Sequence, residues 1–285
     1  MKSKPVVIIG APRSGTNILR DLITSAARTA TWPCDEINYI WRHGNVRFPS
    51  DEFHPDMATP GITGYVRSWF SWVAARYDAQ VVVEKTCANS LRAGFVDRIV
   101  PEAAYVLIRR NGMDAAASAA RRWKAPLDLA YSMRKARFVP KTDILYYFAG
   151  YVRNRMHKIR SKEKRLAYWG PRFKDMDALV KTHSIEEICA LQWKRCVDLS
   201  DEWLERKESR NCHEVRYEDL VEAPVREMRR LGEHLGLDWD ESVLEQAAET
   251  VSTGSVGKGA RTLDERSRNR ILELAGDTMK RHGYS

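Results

Sequence analysis

The residues near the start of the chain that are best suited to chemistry form the stretch GAPRSGTN, at positions 10–17. Its two glycines have the spacing of the triphosphate-binding loop G-x-x-x-x-G-K-[ST], in which the lysine contacts the β- and γ-phosphates and the hydroxyl binds magnesium. In this chain Thr16 replaces the lysine and Asn17 replaces the hydroxyl residue, while Arg13 places a cation inside the loop. The stretch therefore predicts a loop that binds a phosphate but is poorly suited to metal-assisted chemistry on a triphosphate. A glycine-rich turn without a ligand is the alternative.

A second candidate anion site lies in the stretch RRNGMDAAAS, at positions 109–118. Arg110 is followed eight residues later by Ser118, after a glycine turn and a helix start at Asp114. A guanidinium at the end of a strand and a hydroxyl on the next helix suit a phosphate or a sulfate. Taken alone, Arg109 and Arg110 are explained better by ion pairs with surface carboxylates. Together with the first loop, they predict a ligand that has two separate phosphate-like groups.

Short apolar segments alternate with helical patterns along the chain, and these elements must position the candidate residues. The predicted strands are Val6–Ile9, Val81–Glu84, Ala104–Ile108 and Glu214–Tyr217. The predicted helices cover about residues 16–27, 114–123, 185–207 and 223–237. This alternation indicates an α/β fold with a doubly wound, mostly parallel sheet, in which ligands bind at the carboxyl ends of the strands. The first strand, its loop and its helix would then form a P-loop-like unit.

The chain contains no internal repeat and no interdomain linker, so residues 1–285 are predicted to form one domain. Residues 124–183 break the alternation, and we interpret them as a helical or irregular insertion over the edge of the sheet. Within this region, residues 151–174 have nine Lys or Arg and one Glu (9 − 1 = +8), against a net charge of +9 for the chain. A solvated surface explains such a segment, and so would an anionic substrate, a nucleic acid or a membrane surface.

The composition is ordinary for a globular protein, with 44% hydrophobic and 30% charged residues. Apolar segments are all shorter than the roughly 20 residues required to cross a bilayer, and the first apolar run is too short for a signal peptide. The five cysteines include no C-x-x-C pair, which argues against a disulfide framework or a structural zinc site. A cytoplasmic location and no metal site are therefore expected.

Four blocks, in order along the chain, resemble the sulfotransferases that use 3′-phosphoadenosine 5′-phosphosulfate (PAPS) as the donor. GAPRSGTNILRDLI resembles the 5′-phosphosulfate loop of this family, and RNGMDAAAS resembles its 3′-phosphate element. VRYEDLVEAPVREMRRLGEHLGL and GSVGKGARTL resemble the later Y-E-D-L block and the C-terminal loop that closes over the nucleotide. The resemblance, which spans about residues 6–263, implies a P-loop-like sulfotransferase fold of the bacterial or glycan-modifying branch. It also implies PAPS as the donor, a hydroxyl acceptor and no metal.

The same resemblance implies which residues bind the donor. Residues of the first loop would hold the 5′-phosphosulfate: Pro12, Arg13, Ser14, Gly15, Thr16 and Asn17. The 3′-phosphate would be held by Arg110 and Ser118, with Lys258, Gly259 and Arg261 of the C-terminal loop. Tyr217 would contact the purine side, and a tyrosine packed at a strand end is the alternative.

Sulfuryl transfer also needs a base for the proton of the acceptor. Cytosolic members of the family use the histidine of a K-T-H triplet, but the corresponding stretch VVVEKTCANS has Lys85 followed by Cys87 in place of the histidine. The resemblance to bacterial and glycan-modifying members implies Glu36 as the base, and Asp35 is the competing candidate. Lys85 and Arg13 would stabilise the charge that develops during transfer. We expect the aromatic residues of the segment WPCDEINYIW to desolvate Glu36 and raise its pKa.

Two other functions stay open at this level. A P-loop small-molecule kinase would use the first loop with ATP, but it would need magnesium and the missing lysine. A non-catalytic protein could bind a nucleic acid or a membrane surface through residues 151–174, where Tyr151, Tyr168 and Trp169 permit base stacking. No nucleic-acid-binding motif accompanies these aromatic residues, so nucleic acid is the least favoured partner.

The acceptor is a hydroxyl compound whose class the sequence leaves open among anionic, carbohydrate, lipid-linked, peptide and phenolic compounds. The insertion at 124–183 is expected to lie over it, with Trp123, Trp169 and Phe173 as its aromatic contacts.

Overall fold

The computed structural model describes residues 3–125, 135–160, 169–206 and 211–284. Its central strands are Lys4–Ile9 (β1), Thr29–Thr31 (β2), Val81–Lys85 (β3), Ala104–Arg109 (β4) and Cys212–Arg216 (β5). They form one sheet in the order β2-β3-β1-β4-β5, and every neighbouring pair is parallel. The predicted α/β fold with a parallel sheet is therefore confirmed.

Both faces of the sheet are buried, which explains why its strands are almost continuously apolar. In β1, Val6 and Ile8 belong to one hydrophobic cluster, and Val7 and Ile9 belong to another. This division follows the two-residue repeat of a strand, in which successive side chains point to opposite faces.

The α-helices of the described residues connect the strands and cover these faces. In chain order they are Thr16–Thr24 (α1), Asn38–Trp41 (α2), Pro60–Tyr77 (α3), Ala93–Ile99 (α4), Gly112–Lys124 (α5), Ile144–Arg160 (α6), Met176–Leu179 (α7), Ile185–Arg206 (α8), Tyr217–Glu222 (α9), Pro224–Leu235 (α10), Glu241–Glu249 (α11), Lys258–Thr262 (α12) and Glu265–Arg281 (α13). Helices α1, α9, α10 and α11 pack on one face of the sheet, and α2, α3 and α4 pack on the other. A third cluster joins α5, α8 and α13.

Local signals in the sequence located several helix ends. The Ser184 N–H donates to the Glu187 carboxylate at 2.8 Å and the Glu187 N–H donates to the Ser184 hydroxyl at 3.2 Å, which is the capping box expected before α8. Helix α10 begins at Pro224 and is followed by Gly236 at φ 62°, as a proline at the first turn and a left-handed glycine at the end predict.

Other predicted boundaries were wrong. The last strand ends at Arg216, and Tyr217 opens α9 instead of closing β5. The first helix ends at Thr24 rather than near residue 27. Strand β2 was not expected, because its three residues, Thr29–Thr31, are too few to show a repeat.

Part of the predicted insertion at 124–183 lies outside the described residues, namely 126–134 and 161–168. The basic stretch at 151–174 is therefore described only in part: residues 151–160 are helical, and most of their side chains are also outside the description. No helix within the described ranges is long and apolar enough to cross a bilayer.

Candidate functional site

The candidate site lies at the carboxyl ends of β1, β3 and β4. Strand β1 is central, and Ile8 pairs with Lys85 of β3 while Ile9 pairs with Leu107 of β4. The strands β2 and β3 lie on one side of β1, and the later strands β4 and β5 lie on the other side. Parallel α/β sheets bind ligands in the crevice at such a reversal of strand order, which here lies beside β1.

The loop after β1 has the backbone of an anion site. Arg13 has φ 68° and Gly15 has φ 91°, and α1 begins at Thr16 with the unpaired N–H groups and positive dipole end of a helix N-terminus. A Cβ atom at Gly15 would lie 2.3 Å from Cδ2 of Tyr217, so only glycine fits between the loop and that ring. Pro12 is buried and Asn17 is half-buried in the same loop.

Two buried donors at this loop point to a ligand. Among the described residues, the Ser14 hydroxyl and Nε of Arg110 have no hydrogen-bond partner, although Ser14 is 1% and Arg110 is 6% exposed. Leaving a buried donor unpaired costs about 1–3 kcal/mol. An anion that accepts from both groups would remove this cost.

The two anion sites predicted from separate stretches of sequence are in direct contact. Nε of Arg13 donates to the Ser118 hydroxyl at 3.0 Å, and the Arg110 guanidinium donates to the Arg13 carbonyl at 2.9 Å. Ser118 is half-buried on α5, among buried neighbours. Arg13, Arg110 and Ser118 therefore form one cationic and hydroxyl-bearing surface.

The C-terminal loop closes this surface through contacts that the sequence did not reveal. The Asp114 carboxylate accepts from the N–H groups of Gly257 at 2.7 Å and Gly259 at 2.5 Å. A Cβ atom at Gly259 would lie 2.5 Å from the Met113 carbonyl oxygen, so this close approach also requires glycine. Lys258 is exposed beside it.

Tyr217 and Arg110 complete the contact with the C-terminal loop. The Arg110 guanidinium lies 4.2 Å from the centre of the Tyr217 ring, and it donates to the Ser255 carbonyl at 2.7 Å. The Tyr217 hydroxyl is hydrogen-bonded to the Ser255 hydroxyl. Arg261, which is exposed, donates to the Val256 carbonyl at 2.9 Å. The structure thus places Tyr217 beneath Arg110, directly after the end of β5, with its side chain buried.

Asp114→Asn tests this closure. One of the two N–H groups would then face an amide NH₂ instead of a carboxylate oxygen, and a hydrogen bond to a charged group contributes about 1.5–3 kcal/mol. We expect limited proteolysis within residues 251–262 to accelerate about tenfold, without a change in the rate of cleavage elsewhere. Asp277→Asn, at an exposed position of α13, is the matched control. Cleavage of the Asp114 variant at the wild-type rate would show that the carboxylate does not hold the loop.

A second group of charges lies beside the loop, at the end of β3. Nζ of Lys85 is 3.2 Å from Oδ1 of Asp35 and 3.2 Å from Oε1 of Glu36. Asp35 also accepts from Arg20 of α1 at 2.7 Å. The Lys85 side chain is 2% exposed, whereas the Glu36 side chain is 25% exposed, so the carboxylate is the part of this pair that solvent can reach.

The environment lowers the pKa of both carboxyl groups. Burial opposes ionisation of Glu36, but the Lys85 charge, the Lys135 charge and a hydrogen bond from the Cys87 thiol together outweigh it and hold its pKa below the usual range. Burial of Asp35 is likewise outweighed by Lys85 and Arg20, and its pKa falls to about 2. The expectation that Glu36 has a raised pKa is therefore wrong for the protein without ligand, because Lys85, Lys135 and Cys87 together have a larger effect on its pKa than burial has.

Lys85 places a cation beside the loop from the neighbouring strand β3. The loop itself has Thr16 at the position of the lysine in a triphosphate-binding loop. Thr16 is buried, and its hydroxyl lies 3.6 Å from the Cys87 thiol. The Cys87 N–H in turn donates to Oε1 of Glu36 at 3.4 Å. The loop at 10–17 and the ion pair of Glu36 with Lys85 are therefore linked through Cys87.

The aromatic residues expected around the site lie elsewhere. Trp32 and Trp41, expected to desolvate Glu36, are in the core between the sheet and α3. Trp123 and Phe173, expected over the acceptor, are buried in the cluster of α5, α8 and α13, and Trp169 packs against it. These aromatic side chains stabilise the fold, because large rings contribute most when they are buried.

Arg20, Asp114 and Ser255 are the site residues that the sequence analysis missed. Asp114 was recognised only as the start of a helix, and its position four residues after Arg110 was the available signal. Nothing local marks Arg20 or Ser255, since their partners are distant in the chain.

Comparison with known proteins identifies the class to which this fold and site belong. The sequence model of the sulfotransferase family matches residues 5–167 and 136–241, and the chain belongs to that family. No curated protein sequence matches the chain.

Solved structures agree with this assignment at the level of the fold. The sulfotransferase domain from the curacin biosynthetic pathway is 12% identical, with a TM-score of 0.57 over 99% of this chain and 98% of that one. Sulfotransferase STF9 from Mycobacterium avium is 9% identical, with a TM-score of 0.56 over 100% and 78%. Mouse sulfotransferase SULT7A1, solved in complex with PAP, is 12% identical, with a TM-score of 0.51 over 97% and 85%.

Proposed function

We propose that this sulfotransferase transfers the sulfuryl group of PAPS to a hydroxyl acceptor, with Glu36 as the general base and without a metal. The observation that supports this proposal most directly is the pair of unpartnered, buried donors, Ser14 Oγ and Arg110 Nε, at the phosphate loop. The PAP complex of the mouse structure is consistent with the same donor.

The residues present fit a ligand with two separate anionic groups. Ser14, Arg13 and the first N–H groups of α1 would hold the 5′-phosphosulfate. Arg110 and Ser118 would hold the 3′-phosphate, beneath the C-terminal loop that Asp114 fixes. Tyr217, already stacked with Arg110, would border the nucleoside.

Glu36 and Lys85, which form an ion pair, would act on the acceptor and on the departing phosphate. PAPS supplies an activated sulfuryl group: the new bond joins the acceptor oxygen to sulfur, and the bond between sulfur and the 5′-phosphate oxygen breaks. Glu36 would receive the proton of the acceptor hydroxyl, and Lys85 and Arg13 would stabilise the phosphate oxygen as it gains charge.

Asp35 fits the role of base less well than Glu36. It is paired with two cations, Arg20 and Lys85, and its pKa of about 2 makes it a weak proton acceptor. Glu36 forms an ion pair with Lys85, and an anionic donor bound near Lys85 would compete for that charge and so raise the pKa of Glu36 toward the value that a base requires.

The kinase alternative is less well supported. The position of the loop lysine is occupied by Thr16, whose hydroxyl contacts Cys87, and Asn17 replaces the magnesium-binding hydroxyl. Neither residue can perform the function that a triphosphate loop requires at its position.

Donor binding tests this proposal. Calorimetry with 3′,5′-bisphosphorylated adenosine, in the presence of EDTA, should show binding by the wild type that Arg110→Ala weakens about 100-fold, or about 2.7 kcal/mol. The matched control is Arg109→Ala, because Arg109 pairs instead with Asp201 and Glu214 and should leave the affinity within a few-fold. Binding of ATP that requires magnesium, without binding of the bisphosphate, would contradict the sulfotransferase proposal and favour a kinase.

The acceptor is proposed only as a hydroxyl compound. Carbohydrate, lipid-linked and anionic compounds all suit a half-buried carboxylate next to a lysine. Transfer of labelled sulfate from PAPS across a panel of such acceptors would distinguish them.

A further inference from the structure

Helix α6 presents a row of large apolar side chains to solvent. Ile144, Leu145, Phe148, Val152 and Met156 are all at least 40% exposed, and Leu145 and Phe148 reach 79% and 62%. Spacings of three and four residues place Leu145, Phe148, Val152 and Met156 on one side of the helix. A contiguous row of exposed apolar side chains of this kind marks a surface that interacts with a membrane or with another protein.

The opposite side of α6 is fixed to the body of the protein. Asp143, just before the helix, lies 3.0 Å from Nδ1 of His43, and the Tyr147 ring packs on the Tyr39 ring with centroids 4.5 Å apart. The preceding Phe138 is in the core, against Trp69. These contacts hold the apolar row outward, so the row cannot be buried by a simple rotation of the helix.

The same segment is strongly basic. Residues 135–160 contain seven Lys or Arg and one acidic residue (7 − 1 = +6). Arg137 and Lys141 are exposed before the helix, while the single acid, Asp143, is buried and engaged by His43. The second half of α6 adds Arg153, Arg155, Lys158 and Arg160.

We propose that α6 docks this protein on the surface of a bilayer that contains anionic lipids. An apolar row together with basic residues is the combination that places a helix in the interface of such a membrane, with the row among the acyl chains and the cations at the headgroups. A second copy of the chain fits less well, since an isologous contact would oppose two segments of charge +6. A nucleic acid offers charge but no apolar surface for the row.

Sedimentation with vesicles tests the proposal independently of any enzymatic activity. The wild type should sediment with vesicles of phosphatidylcholine and phosphatidylglycerol, less with phosphatidylcholine alone, and less as ionic strength rises. Leu145→Ser/Phe148→Ser and Arg153→Gln/Arg155→Gln should each weaken binding to the anionic vesicles at least about tenfold. Leu272→Ser, at a 43% exposed leucine of α13, is the matched control and should bind as the wild type does.

Three results would overturn the proposal: absence of vesicle binding, equal binding to neutral and anionic vesicles, or retention of wild-type affinity in both double variants. A dimer in light scattering that the Leu145→Ser/Phe148→Ser variant loses, without vesicle binding, would instead identify a second copy as the occupant. The Leu145 and Phe148 side chains are exposed, so their substitution should leave the protein folded. An unchanged thermal unfolding temperature in each variant will show that a loss of vesicle binding does not result from unfolding.

Discussion

Glu36→Gln is expected to lower kcat by at least about 100-fold, because general-base catalysis contributes about 10²–10⁴-fold. Glutamine has nearly the shape of glutamate, and its amide oxygen can still accept from Lys85 and from the Cys87 N–H, the two groups that contact Oε1 now. It cannot accept a proton at neutral pH. Transfer of labelled sulfate from PAPS measures the rate, and calorimetry with the bisphosphate product should show donor-site affinity within a few-fold of the wild type.

Asp35→Asn is the matched control for this substitution. Asp35 contacts the same lysine at the same 3.2 Å, so loss of a charge next to Lys85 is common to both variants. We expect Asp35→Asn to retain most of the turnover. If Asp35→Asn loses turnover and Glu36→Gln keeps it, the base is Asp35 and our assignment is wrong.

The second large effect is expected at Lys85. Lys85→Met retains the length of the buried stem and removes the charge that would stabilise the departing phosphate oxygen. Removal of one such group lowers kcat by about 10²–10³-fold. The Lys85 side chain is 2% exposed, and the methionine occupies about the space of its stem; binding of the bisphosphate will show that the variant is folded.

The pH profile separates the two roles of Lys85. The base must be ionised to act, and in the wild type without ligand Lys85 helps to hold the pKa of Glu36 below its usual range, so kcat/KM, which reports the free enzyme, should fall only below the usual titration range of a glutamate. In Lys85→Met the burial of Glu36 is no longer offset by that charge, which raises its pKa. The acid limb of the profile should therefore move to higher pH, in addition to the lower plateau. A profile with an unmoved acid limb would show that Lys85 does not control the ionisation of Glu36.

Much of the fold was predictable because it depends on neighbouring residues in the chain. The apolar segments that became β1, β3 and β4 are continuous, and the capping box before α8 is complete within four residues. Strand β2 was missed because its pairing with β3, rather than its own three residues, makes it a strand. Tyr217 was predicted to be the last residue of a strand because aromatic residues are common in strands. In the structure it is the first residue of α9, and its ring lies against the Arg110 guanidinium.

The sequence by itself determined the glycine spacing of the loop at 10–17, the spacing of Arg110 and Ser118 and the absence of the loop lysine, since each is a property of a contiguous stretch. Only the tertiary structure decided that these stretches form one surface, because Arg13 and Ser118 are separated by 105 positions and meet only when β1 and β4 pair. It also decided the electrostatics of Glu36. Lys85 is 49 positions away, and the strength with which its charge offsets the burial of Glu36 depends on a distance of 3.2 Å that no local pattern encodes.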